Sequence, residues 1–158
     1  MTRAAPDRAC HAPVDMAARR APALRVAPRD AVAAAVGLVA TAPAIAWMRG
    51  RGRRARLAGA GAGLAIAAAI YPASRSGWKP GDAVYRELGG LGAFGALSVA
   101  AARRTNADGS LLLAGGWLAH AVFDVHHDSG PDSRIPSWYP AFCAGYDVGM
   151  AAALIAQP

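Results

Sequence analysis

Residues Gly115 to Tyr146 read GGWLAHAVFDVHHDSGPDSRIPSWYPAFCAGY, and Asp147 follows directly. An apolar run ends in His120, Asp124, His126 and His127. A turn rich in Pro, Gly, Ser and Asp comes next, and then a second apolar run with Cys143 one turn before Asp147. Apolar runs of this length, bounded by turn residues, predict helices over 111–127 and 138–156. The ionisable groups sit within the runs and not only at their borders. A charge in an apolar surround costs a few kcal/mol or more, so such groups are expected to face an interior and meet partners there.

The rest of the chain has the same texture. Of its 158 residues 54% are hydrophobic and 17% charged, and the mean hydropathy is +0.22. The charged share falls short of the usual quarter, and the charges gather in short segments between long uncharged runs. Three further runs, 30–48, 57–73 and 83–102, predict three more helices. The expected fold is all-α: a polytopic transmembrane bundle of about five helices over residues 30–158, behind a disordered basic tail at 1–29. Asp30 suits an N-cap and Pro140 a first helical turn. Pro43 should kink the first helix. Trp47, Tyr71, Trp78, Trp138 and Tyr139 read as interface aromatics. Gly59, Gly61 and Gly63, then Gly89, Gly92 and Gly95, then Gly145 and Gly149 make small-residue faces. Such faces suit close helix packing or homo-oligomer formation within a membrane.

The net charge of +7 is distributed as a topology signal and not as a nucleic-acid face. Five arginines lie between Arg49 and Arg56, and Arg103 and Arg104 follow the third helix. Short basic loops stay cytoplasmic. The tail carries six arginines of its own and argues for the opposite orientation. Giving weight to the compact loops places the His-rich turn on the outer face of a cell-membrane, multi-pass protein. Two cysteines, Cys10 in the tail and Cys143 in an apolar run, form no disulfide framework.

At about 100° per residue, His120, Asp124 and His127 fall at roughly 0°, 40° and 340°, on one stripe of a helix; His126 points nearly the other way. Imidazole nitrogens and a carboxylate at this spacing suit a divalent metal such as zinc or iron, with a further ligand from a neighbouring helix. Asp147 and Glu87 are the acids available, and Tyr146 is placed to donate or orient a proton. The expected site is therefore His120, Asp124 and His127 on the metal, with Glu87, Asp147 and Tyr146 in catalytic roles. The corresponding activity is a metal-dependent membrane hydrolase acting on a lipid or other apolar small molecule. The same residues also fit an ion or proton relay in a transport module, or a structural subunit whose polar cluster sets helix register.

The pattern Trp117, His120, Asp124, His126, His127, then Trp138, Tyr139, Pro140, Cys143, Tyr146, Asp147, with Glu87 upstream, resembles a family of small bacterial integral-membrane proteins without an assigned activity. The resemblance covers the chain from about Val84 onward. It implies membrane location and a role for these residues, and it implies no reaction. A looser likeness is to seven-helix, metal-dependent membrane hydrolases of lipid amides, which build a zinc site from helix-borne histidines. This chain has fewer helices and a different spacing, so that likeness serves as analogy only.

Overall fold

A computed structural model describes residues 27–104, 106–128 and 130–156. The described residues are helical apart from turns and one isolated bridge between Arg75 and Ser133. The helices are α1 (Pro28–Ala40), α2 (Ala42–Arg49), α3 (Arg53–Ala73), α4 (Asp82–Ala102), α5 (Ala107–His126) and α6 (Tyr139–Ala156). The expected tail lies outside the described residues up to residue 26; Ala27 caps α1, and Pro28 and Arg29 already belong to it.

The first expected helix is divided at Thr41. Pro43 explains the break, because it has no N–H to donate and its ring crowds the carbonyl four residues back. The Thr41 hydroxyl donates to the Leu38 carbonyl at 2.6 Å, and the chain resumes helix at once. Helix α3 starts four residues before its expected 57, and the basic turn shrinks to Gly50–Gly52. Helix α5 likewise starts at Ala107, not 111, next to the extended Asn106. Arg, Ala, Asp and Ser can all enter a first helical turn, so hydropathy alone set those starts too late.

With α1 and α2 taken as one broken segment, successive helices run up and down. Helix α1 packs on α6, α6 on α5, α5 on α4 and α3, and α3 on α4. Leu57, Leu64, Phe94, Leu113, Trp117 and Met150 belong to the shared core. The closest crossing is α1 on α6. A Cβ added to Gly37 would lie 1.9 Å from the Phe142 carbonyl oxygen, and one on Gly145 would lie 1.9 Å from that of Ala34. Gly149 faces Thr41 just beyond. These are backbone-to-backbone approaches of the kind small residues permit. Gly59, Gly61 and Gly63 meet Trp47, Ser98 and Trp117. The expected stripe of Gly89, Gly92 and Gly95 meets nothing within 4 Å among the described residues, so it takes no part in packing between the described helices.

Among the described residues, three segments are long and apolar enough to cross a membrane: Pro28–Arg49, Arg53–Ala73 and Tyr139–Ala156. Helices α4 and α5 have comparable length but carry Arg86 and Glu87, or His120, Asp124 and His126, which lower their hydropathy. Much of the outer surface is apolar: Val32, Val36 and Val39 on α1, Ile66 on α3, Val99 on α4, Val122 and Val125 on α5, and Ile155 on α6 are all exposed. Trp78 and Trp138 are exposed as interface anchors would be. Tyr71 is not: it is 1% exposed, which corrects its reading as an interface aromatic.

The up-and-down course sorts the charges. Arg49, Arg51, Arg53, Arg54, Arg56, Arg103 and Arg104 all lie at or beyond one end of the bundle. The histidines of α5, the start of α4 and the start of α6 lie toward the other. There the loops after α3 and before α6 are joined by main-chain bonds: Ser76 N–H to the Asp132 carbonyl at 2.9 Å and Arg134 N–H to the Ser74 carbonyl at 3.0 Å.

Candidate metal centre and its neighbouring ion-pair cluster

Helix periodicity brings His120 and Asp124 onto the same inward face of α5, and α6 turns Asp147 toward them. All three are 1% exposed. His120 Nδ1 lies 2.8 Å from Asp147 Oδ2 and 3.5 Å from Asp124 Oδ2. The first is a hydrogen bond; the second is an ion-pair contact too long to satisfy Asp124 Oδ2, which has no hydrogen-bond partner. Tyr71, near the end of α3, donates its hydroxyl to Asp124 Oδ1 at 2.7 Å. His120 Nε2 is buried and also without a partner.

One ligand atom from each of His120, Asp124 and Asp147 lies within 4.8 Å of the others, the arrangement of a candidate cation site. Two atoms bound to one tetrahedral zinc at about 2.0–2.1 Å sit roughly 3.4 Å apart, so the 2.8 and 3.5 Å separations require only small adjustments. Charge points the same way. Two carboxylates flank one imidazole in a dry interior, an arrangement costly without compensating positive charge.

A second polar group lies beside the first. Glu87, buried on α4, accepts two bonds from Arg75, at 2.5 Å from Nε and 2.7 Å from Nη2. It also meets His127 Nε2 at 2.9 Å. The bond to Glu87 holds the Arg75 guanidinium above its ordinary pKa. The side chains of Arg75, Glu87 and His127 are 4% exposed or less. Aromatic rings fill the space between the groups. Phe123 stacks on His127 at 4.8 Å and on His120 at 6.0 Å, and Tyr71 meets His127 edge-on at 4.8 Å.

The expected residues therefore divide. His120 and Asp124 come together as their spacing predicts, and the neighbouring ligand is Asp147. His127 shares the stripe but sits beyond the end of α5, where it turns to Glu87 and stands outside the three-residue group. Glu87 is engaged by Arg75 and His127. Tyr146 packs its ring on Trp117 at 5.9 Å; the phenol bonded to a site carboxylate is Tyr71. His126 points outward, with Nδ1 2.9 Å from the Val122 carbonyl. Cys143 is buried as a free thiol. Arg86, the nearest cation in sequence to Glu87, reaches instead to the Asp128 carbonyl at 3.3 Å.

Sequence reasoning missed Tyr71 and Arg75. Both carried a signal: a buried acid must find a donor, and these residues lie at the end of α3 and the start of the turn that leads to Glu87. The Tyr71 contact is testable. Tyr71→Phe keeps the ring and removes the donor to Asp124, so thermal unfolding in detergent should show a loss of about 1.5–3 kcal/mol, the range for hydrogen bonds to charged groups.

A cavity of about 570 Å³ opens between α1, α5 and α6, lined by Asp30, Ala34, Asp124, Val125, His127 and Pro140 among others. Its rim includes exposed Val125 on the apolar outer surface. No family model, curated protein or solved structure matches the chain.

Proposed function

We propose that the chain is a multi-pass membrane protein of five crossings, α1 and α2 together forming the first, and that it acts as a metal-dependent hydrolase. The substrate is a lipid or other apolar molecule that reaches the site sideways from the bilayer. The observation that supports this reading is the buried His120, Asp124 and Asp147 group, with Asp124 also lining a cavity that reaches the apolar surface. The arginine-rich end would face the cytoplasm and the metal centre the outer half of the membrane.

In this reading His120, Asp124 and Asp147 hold one divalent cation, zinc or iron. The cation would supply an electrophile and make bound water a stronger acid. Tyr71 fixes Asp124 through its hydroxyl. His127 donates its Nε2–H to the Glu87 carboxylate, which leaves the lone pair on Nδ1. That nitrogen is buried and has no partner, and His127 lines the same cavity. His127 is the group placed to take the proton of the attacking water, while Glu87 and Arg75 hold its ring.

Metal analysis tests the proposal. The purified protein should carry about one zinc or iron per chain, lost in His120→Ala and kept in His126→Ala, whose ring points outward. Affinity should rise with pH, because protons compete for the same nitrogen and oxygens. A chain free of metal after reconstitution with either ion would overturn the reading.

The hydrogen-bonded series Tyr71–Asp124 and His120–Asp147 favours a second reading, a proton relay. Metal-free protein that conducts protons in liposomes, and stops in Asp147→Asn, would establish that reading in place of the first.

A further inference from the structure

At the arginine-rich end a separate cavity, of about 530 Å³, opens between the start of α3 and the end of α4. Arg53, Arg54, Ala102, Arg103 and Arg104 line it. Four guanidinium groups from two helices border one space, and no acid lines it among the described residues. Asp108, the nearest acid in sequence, lies outside the lining and accepts a bond from the Asn106 amide at 2.5 Å. Arg54, Arg103 and Arg104 form no ion pair among the described residues. A topology signal needs cations in a loop, not cations gathered from two helices around one space. The gathering has a cost. Like charges repel, and Arg53 and Arg54 open α3, where the helix dipole disfavours them and neither an acid nor a side-chain cap offsets it. A cleft lined by one sign of charge concentrates ions of the other. The backbone beneath is fixed: a Cβ added to Gly109 on α5 would lie 3.0 Å from Leu57 Cδ1, 3.1 Å from the Ala101 carbonyl oxygen and 3.3 Å from Arg104 Cβ. The starts of α3 and α5 therefore close on the end of α4, and the arginines project from a set frame.

We infer that this cavity seats a ligand with two phosphate groups, the head of an anionic phospholipid of the cytoplasmic leaflet. Guanidinium forks pair bidentately with phosphate, and two arginines to each phosphate use all four. A volume of about 530 Å³ is that of a small-molecule site and exceeds what one phosphate fills. Basic pockets between membrane helices on the cytoplasmic side take heads of this kind. Ile66 on α3 and Val99 on α4 are exposed deeper along the same helices, an apolar surface for acyl chains. The inference rests on the membrane placement proposed above and makes no use of the metal.

Native mass spectrometry of the full chain in a maltoside detergent tests this, with diphosphatidylglycerol, phosphatidylglycerol and phosphatidylcholine titrated separately. The two-phosphate lipid should bind at least about fivefold more tightly than phosphatidylglycerol, and phosphatidylcholine should bind most weakly; about fivefold is the scale for each basic residue engaged. Arg54→Gln combined with Arg103→Gln should weaken the two-phosphate lipid by about twentyfold. Arg49→Gln combined with Arg51→Gln removes the same charge from the same end but outside the cavity, and should cost under about threefold. All four arginines are exposed, so neither variant disturbs the core. Equal losses in the two variants, or no preference for the two-phosphate lipid, overturn the proposal. Sodium pyrophosphate identifies the source. Binding about tenfold weaker than the lipid supports a bilayer ligand; equal binding overturns the lipid as source and leaves a soluble diphosphate. Carbonate extraction of membranes holding the chain separates the two readings. A chain that washes off overturns the membrane placement and this proposal together, whereas an integral chain without the lipid preference overturns this proposal alone.

Discussion

Replacing Glu87 by Ala should destabilise the protein by about 3–5 kcal/mol, the range for removing one member of a buried ion pair. Glu87 is 1% exposed and is shared by Arg75 and His127, which come from the exit of α3 and the end of α5. Its loss takes the carboxylate away from a buried guanidinium and frees His127 to turn. The cost is that of the groups left behind, not of the contacts removed. A rescue experiment separates these. Glu87→Leu combined with Arg75→Met removes both charges and should recover a large part of the loss, since apolar replacement of a whole buried pair is often neutral or better. Thermal or denaturant unfolding in detergent measures both variants. A loss under about 1 kcal/mol for Glu87→Ala would mean that water reaches this cluster freely.

The second large effect belongs to the crossing of α1 and α6. Gly145→Leu places a side chain where the Cβ alone would stand 1.9 Å from the Ala34 carbonyl oxygen. Backbone cannot move aside as a flexible side chain can, so α1 must separate from α6. Overpacking costs typically about 1–3 kcal/mol, occasionally more; here the upper end or beyond is expected. The opposing contact, Gly37 against the Phe142 carbonyl, should respond equally. Gly92→Leu serves as the control, because nothing lies within 4 Å of that position. The cavity between α1, α5 and α6 is built on the same crossing, so Gly145→Leu should also deform it, whereas Gly92→Leu should leave it intact.

These two positions show what can be read from the chain and what cannot. The GxxxG spacing of Gly145 and Gly149 identified a packing face, and α1 lies on it. Gly89, Gly92 and Gly95 have similar composition and pack on none of the described residues, because a small-residue pattern says that close approach is allowed and not that a partner is there. The one-stripe geometry of His120 and Asp124 follows from helix periodicity and holds. His127 also faces inward at the end of α5, but there it meets Glu87 and stands outside the group of three. Partners from distant segments were the least visible. Glu87 takes Arg75, twelve residues upstream, over the adjacent Arg86. Neighbours along a helix point apart, while a turn can fold a cation straight back onto the next helix.

The join between the loops after α3 and before α6 has a separate consequence. Its crosslinks run through peptide groups: Ser76 to Asp132 and Arg134 to Ser74. Amide-to-carbonyl pairing takes no notice of which side chains are attached. The outer surface of this turn can therefore accept substitutions, tags or inserted epitopes at Gly77 or Lys79 while its seam, and the Arg75 that it holds over Glu87, stay in register.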